Sequence, residues 1–266
     1  MPQLSFGMRS SDDWKSIDAR AEIVLYSCKA RRWKMISIRR SNERGTTKTE
    51  WLDSRHTFSF GAYRDPAHIG FGALRVLNED VIVAGNGFPP HPHSDMEIVT
   101  YLLSGVLQHR DSLGNGSTIR PGEIQRMSAG AGIVHAEFNA SRENACHLLQ
   151  IWIAPSKSGI TPSYEQKAID PVAISNKLAR VAAPEPRENE VRLLQDAEIW
   201  AAKFDRDEEV IHPLAPGRRS WIQIAKGKVT VGGELLRQGD AAGITDQDQI
   251  RVRARSPAEV LLFDLA

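Results

Sequence analysis

Between residues 57 and 153 the chain is written in short apolar runs, at 73–77, 81–84, 98–103 and 148–153, separated by glycine-bearing turns. Many short runs spaced by turn signals predict short β-strands assembled into a sandwich or barrel. The same texture returns after Phe204, in 220–225, 228–231, 250–252 and 260–264. Helical periodicity is weak everywhere except around 189–202 and 170–181, where prolines and polar residues also suggest a linker.

The two halves carry related text. Residues 100–106 parallel 222–229, and Arg120-Pro121-Gly122-Glu123 parallels Arg237-Gln238-Gly239-Asp240. Each half reads as strand, glycine turn, strand and a Gly-acidic turn, which points to a duplicated β-barrel. The copies part company at the chemistry. Against His91-Pro92-His93 the second half offers His212-Pro213-Leu214, and against His135 it offers Asp246. The second barrel is therefore expected to be structural.

Histidine is concentrated in the first half, seven of the eight lying between His56 and His147. His91 and His93 are two residues apart, so on a strand they share a face. His135 and Glu137 repeat this spacing after the turn-forming Ala129-Gly130-Ala131-Gly132. If the barrel brings the two strands together, three imidazoles and a carboxylate converge on one point. Such a set suits iron, copper, nickel, zinc or manganese and leaves coordination positions open, whereas the absence of thiolate disfavours a closed structural zinc site. Glu97 keeps even spacing from His93 and is either a further ligand or a group that orients an imidazole. His56, His109 and His147 have no partner at ligand spacing and read as packed or surface histidines. Cys146 and His147 are adjacent, so on a strand they face opposite ways and do not make a thiol nucleophile.

Composition adds limits rather than chemistry. The formal charge of +1 is the sum of +3 over residues 1–34 and −2 over 35–266. A mildly acidic body argues against a broad nucleic-acid-binding face. Six basic residues lie between Lys29 and Arg40, either a solvated tail or a nucleic-acid or partner contact. Residues 1–34 read as a flexible extension, or as the product of an upstream start, because strand-like text begins at Met35. Two cysteines, Cys28 and Cys146, make no disulfide framework, and no apolar run approaches the roughly 18 residues of a membrane span. A soluble cytoplasmic protein is expected.

The residues also carry a family resemblance. Gly85, His91, His93, Glu97 and Gly105 resemble the first motif of the cupin superfamily, and Gly122, Ser128, His135 and Asn139 its second. Ser128 stands where proline is usual, and two extra residues precede His135. These departures, with Trp51-Leu52-Asp53-Ser54, His56-Thr57-Phe58-Ser59-Phe60, Pro89-Pro90-His91-Pro92-His93 and Gln150-Ile151-Trp152, are similar to the pirin family, in particular its bacterial members described as quercetin 2,3-dioxygenases. The resemblance runs from Met35 to the C-terminus.

It implies an all-β bicupin, two barrels face to face, with a metal-binding domain at 35–165 and a degenerate domain without metal at 166–266. Its metal ligands fall on His91, His93, His135 and Glu137, which demotes Glu97. One divalent transition-metal ion per chain is implied, usually iron(II), with other divalent metals compatible. The implied activity is dioxygenation of a planar flavonol such as quercetin, opening its central ring with release of carbon monoxide. Glu137 is the first candidate base for the 3-hydroxyl proton and Glu97 the second. Phe58, Phe60 and Met127 are candidates for sandwiching the substrate, with core packing as their alternative role. A different reading is a regulatory protein whose metal state controls binding to a protein partner, without direct nucleic-acid contact.

Overall fold

The computed structural model describes residues 35–266, so the expectations attached to residues 1–34, Cys28 included, lie outside the described residues. The first half contributes β1 (Met35–Arg39), β2 (Gly45–Lys48), β3 (Leu52–His56), β4 (Leu74–Ile82), β5 (Gly87–His93), β6 (Glu97–Ser104), β7 (Leu107–Asp111), β8 (Gly116–Ile119), β9 (Glu123–Ser128), β10 (Ile133–Asn139) and β11 (Cys146–Ile153). The second contributes β12 (Ser163–Ala168), β13 (Ala179–Ala183), β14 (Val191–Arg192), β15 (Ala197–Phe204), β16 (Glu209–Pro213), β17 (Arg219–Lys226), β18 (Lys228–Val231), β19 (Glu234–Arg237), β20 (Ala241–Thr245), β21 (Gln249–Ala254) and β22 (Ala258–Leu265). Among the described residues there is no α-helix, and none long and apolar enough to cross a membrane. The helical expectation at 189–202 is thus corrected to strand. Along β15 the buried positions Ala197, Ile199 and Ala201 alternate with half-buried Glu198 and Trp200, a period of two rather than 3.6.

Each barrel is a seven-stranded sheet facing a four-stranded one. The first has the orders β12-β9-β6-β11-β4-β3-β2 and β5-β10-β7-β8; the second has β1-β20-β17-β22-β15-β13-β14 and β16-β21-β18-β19. The two orders correspond except at one edge, where β2 pairs antiparallel with β3 but β14 pairs parallel with β13, and this bears out the duplicated-barrel reading. They also show a reciprocal exchange. β1, which opens the first half, pairs with β20 of the second barrel, and β12, which opens the second half, pairs with β9 of the first. A cut between residues 165 and 166 would therefore pass through β12, and Met35–Arg39 lies with the second barrel's sheet.

The large sheets share a core. Val99, Tyr101, Leu103 and Ile151 of the first pack with Ile199, Trp221, Leu261 and Phe263 of the second in one buried cluster. Polar bonds cross the same layer: Tyr101 Oη donates to Glu259 Oε1 at 2.6 Å and Lys226 Nζ to the Leu103 carbonyl at 2.9 Å. Residues of opposite parity turn into the barrels, where the halves differ. The second interior is apolar, built from Phe204, Leu214, Ile222, Val229, Val252 and Leu262 among others. The first is apolar only in two small clusters, around Leu102, Leu107 and Leu148 and around Ile98, Met127 and Ile133. Between them it buries His109, Gln125, His135, Glu137 and Gln150. Burying that many polar groups is costly unless they are partnered, and the partners define a site.

Candidate metal centre

β10 lies between β5 and β7, and its register sets the site. His135 is opposite His91 on one side and Asp111 on the other, while Glu137 is opposite Phe88 and His109. β5 spends one more residue than β10 between these pairs, at Pro89-Pro90, where a missing N–H makes a bulge cheap. Gly87 permits the close pairing, since a side chain there would overlap the Glu137 backbone. Gly130 has φ +48 and would drive a Cβ into the Ile160 carbonyl, so the glycine-rich approach to His135 serves a tight backbone passage.

Three of the four expected ligands converge. The rings of His91, His93 and His135 have centroids 4.5, 4.8 and 4.9 Å apart, and their donor nitrogens fall within 4.8 Å of one another. His135 lies at the floor, 2% exposed, and its Nε2 is buried without a hydrogen-bond partner. His91 and His93 are half-buried. His91 Nδ1 donates to the Pro89 carbonyl at 2.7 Å, which leaves Nε2 as a free lone pair. Burial and the neighbouring imidazoles hold His135 down to about 2, and burial with His91 holds His93 down to about 4. Both rings are thus neutral at physiological pH, the form that binds metal.

Glu137 belongs to an adjoining group, its carboxylate falling within 4.8 Å of His109 and His135 donors rather than joining His91 and His93. It accepts from Gln150 Nε2 at 2.6 Å and from Thr100 Oγ1 at 3.4 Å. Burial, reinforced by Asp80, pushes its carboxyl up to about 7 against those two hydrogen bonds.

Glu97 is elsewhere. It is fully buried, and its Oε2 accepts the Leu194 N–H at 3.2 Å, away from the barrel interior. The expectation that it shares His93's face assumed an unbroken strand, but Asp95, with φ +48, breaks β5 from β6 and resets the alternation. As base or orienting group, Glu97 is corrected to a link between the halves. Phe58 is likewise a core residue, packed on Trp221 with centroids 5.0 Å apart. Met127 is fully buried beside Ile98 and Ile133. Phe60 stands one ring away from the site, edge-on to Trp152 at 5.4 Å, and Trp152 meets His93 at 4.9 Å. A cavity of ≈ 400 Å³, lined by Pro92, His93, Ser94, Ser112 and Ile133 among others, opens beside His93. Trp152, whose ring meets His93, is a neighbour of the trio that sequence reasoning missed; its signal was the two-residue spacing from Gln150 in β11.

His109 was missed as well. It is fully buried, its Nε2 3.1 Å from Asp111 Oδ2 and its Nδ1 3.5 Å from His135 Nδ1. The signal was present: His109-x-Asp111 has the same spacing as the two pairs singled out. His56 and His147 are packing residues, bound to Asn78 and Glu79 at 2.9 and 3.0 Å. The Cys146 thiol, buried, is pushed up to about 12, consistent with its exclusion as a nucleophile. In the second barrel His212, the only histidine after His147, donates to Asp264 at 2.9 Å, and Arg218 holds that carboxylate.

Comparison with known proteins bears on the family. Residues 37–153 match the pirin family, and residues 180–265 match a family described as the quercetinase C-terminal cupin domain. A curated protein of Escherichia coli K12 named quercetin 2,3-dioxygenase is 48% identical, covering 87% of this chain and 99% of its own. One of Pasteurella multocida, named putative quercetin 2,3-dioxygenase, is 41% identical over 87% and 100%. The crystal structure of YhhW from Escherichia coli matches with TM-score 0.84 at 48% identity, over 87% of this chain and 98% of that one. The bacterial pirin YhhW in complex with nickel(II) matches with TM-score 0.83 at 47% identity, over 87% and 99%.

Proposed function

The chain belongs to the pirin family, and from that premise we propose that it is a metal-dependent dioxygenase of the quercetin 2,3-dioxygenase type, opening the central ring of a flavonol with release of carbon monoxide. The observation that carries the reading is the trio His91, His93 and His135 around the orphaned Nε2 of His135. A buried nitrogen without a partner is costly, and a metal ion satisfies it. The donors fit the group: neutral imidazoles suit a divalent transition metal, and Glu137 is the nearby carboxylate. A relative crystallised with nickel(II) supports a divalent ion, and iron(II) is the ion the family resemblance implies. When bound, the ion supplies Lewis acidity at the substrate oxygen and electron exchange with dioxygen.

The chain's own groups then have separable tasks. Glu137 takes the proton of the flavonol 3-hydroxyl, its burial keeping its carboxyl basic enough to hold one. Gln150 Nε2 donates to the carboxylate at 2.6 Å, and Thr100 Oγ1 donates to the Gln150 amide oxygen at 3.0 Å, which holds that amide in the orientation that grips Glu137. Trp152, edge-on to His93 with centroids 4.9 Å apart, offers an aromatic face beside the trio to a planar ring. The metal-loaded chain is expected to consume quercetin and dioxygen with release of carbon monoxide, and His93→Ala and His135→Ala are each expected to abolish this. Turnover that survives both substitutions contradicts the assignment.

A further inference from the structure

His135 is held by groups on β7, the strand paired with β10 on the side away from β5. Asp111, whose side chain has no exposure, is supplied with donors on both oxygens. Oδ1 accepts the backbone N–H groups of Leu113 and Asn115, each at 3.0 Å, and Oδ2 accepts Asn115 Nδ2 at 2.9 Å. A carboxylate so furnished remains ionised and only accepts, so the remaining contact, His109 Nε2 at 3.1 Å, is an N–H donor. The amide nitrogen of Gln125, which can only donate, faces the other ring nitrogen, so Nδ1 of His109 is a lone pair and the ring's proton is on Nε2. Gln125 Nε2 donates to that lone pair at 3.3 Å, and His135 Nδ1 stands 3.5 Å from it, where a second lone pair would be repelled and an N–H attracted. His135 therefore carries its proton on Nδ1, which leaves the buried, unpartnered Nε2 free. In water a neutral imidazole prefers the opposite arrangement, with the proton on Nε2.

We propose that Asp111 and His109 form a relay of positioning residues that fixes His135 as its Nδ1–H tautomer and so reserves Nε2 for the metal ion. The proposal rests on the metal-centre reading and extends it beyond the ligands. His91 reaches the same state through the Pro89 carbonyl. His109 itself lies close to His135 and Glu137 donors, but its Nδ1 already serves two hydrogen bonds and so is not a ligand.

Two measurements on the full chain test this. Two-bond ¹⁵N–¹H correlations of the histidine rings in the metal-free chain read the tautomer directly. His135 is expected as Nδ1–H in the intact chain and in His109→Gln, whose amide oxygen still accepts, and as a population shifted towards Nε2–H in His109→Phe. Competition titration with nickel(II) is expected to give one ion per chain, with affinity about 10- to 100-fold weaker in His109→Phe and largely restored in His109→Gln. An Nε2 proton on His135 in the intact chain overturns the relay. So does a tautomer and affinity unchanged in His109→Phe, or two ions per intact chain with one lost in that variant, which would make His109 a ligand. If the intact chain binds no ion, the proposed function fails, and the ring spectra alone decide the relay.

Discussion

Gln150 interrupts the apolar run 148–153 with an amide whose donor sits 2.6 Å from Glu137 Oε2. A polar residue in the middle of a buried strand needs a reason, and here the reason is a carboxyl group that would otherwise be buried with Thr100 alone. Gln150→Leu is expected to destabilise the metal-free chain by about 1–3 kcal/mol, the cost of leaving a buried polar group unsatisfied. A denaturation midpoint unchanged in urea would contradict this. At this scale the sequence was legible where a single strand carries both members of a pair. His91 with His93, and His135 with Glu137, follow from alternation alone. His109 and Asp111 obey the same alternation, yet their meaning depends on β7 lying beside β10, a register that local spacing does not encode. Glu97 failed for the converse reason: one residue of positive φ, Asp95, shifts every side chain after it to the other face.

At the level of elements, an ion-pair group ties the segment before β2 to β4 and β11. Arg44, with its side chain 1% exposed, meets Glu79 at 2.6 Å, and Glu79 also accepts from His147 at 3.0 Å. Burial raises the Glu79 carboxyl, but the hydrogen bond from His147 and the charge of Arg44 outweigh it and bring it from 4.5 down to about 2. A carboxyl depressed on folding contributes stability that is complete above its unfolded value and is lost as pH falls towards the folded one. Glu79→Gln should therefore cost most at neutral pH, about 3–5 kcal/mol because Arg44 is left as an uncompensated buried charge. The difference from the unaltered chain should shrink between pH 4.5 and 2, measured by urea unfolding across that range; a difference independent of pH would contradict the account. Strands were readable from apolar runs and glycine turns. The stretch 189–202 misled because its Ala, Leu and Glu residues favour helix, whereas β15 is held by pairing with β13 and β22, and tertiary contacts override propensity.

For the whole molecule, the repeat in the text corresponds to a repeat in the sheets, but the exchange of β1 and β12 could not be read from either copy. Strand-length segments predict strands, not the partner across the molecule. The exchange has a consequence. A fragment of residues 35–160 carries β1 without its pairing partner β20 and lacks β12, leaving β9 as an open edge and the shared apolar layer uncovered. It is expected not to fold cooperatively alone, and to do so when co-expressed with residues 161–266. Cooperative unfolding of the isolated fragment in denaturant would contradict the interlocked arrangement. The interiors of the two barrels differ as well: the second fills with Leu214, Ile222 and Val252 what the first fills with imidazoles and amides, and its large sheet covers that of the first.

A single metal centre on His91, His93 and His135 is read by elemental analysis of the chain after reconstitution with a divalent transition metal. The expected result is one ion per chain, falling to near zero in His135→Ala and His93→Ala while both variants stay folded. An intact chain without bound metal, or full occupancy in both variants, would contradict it.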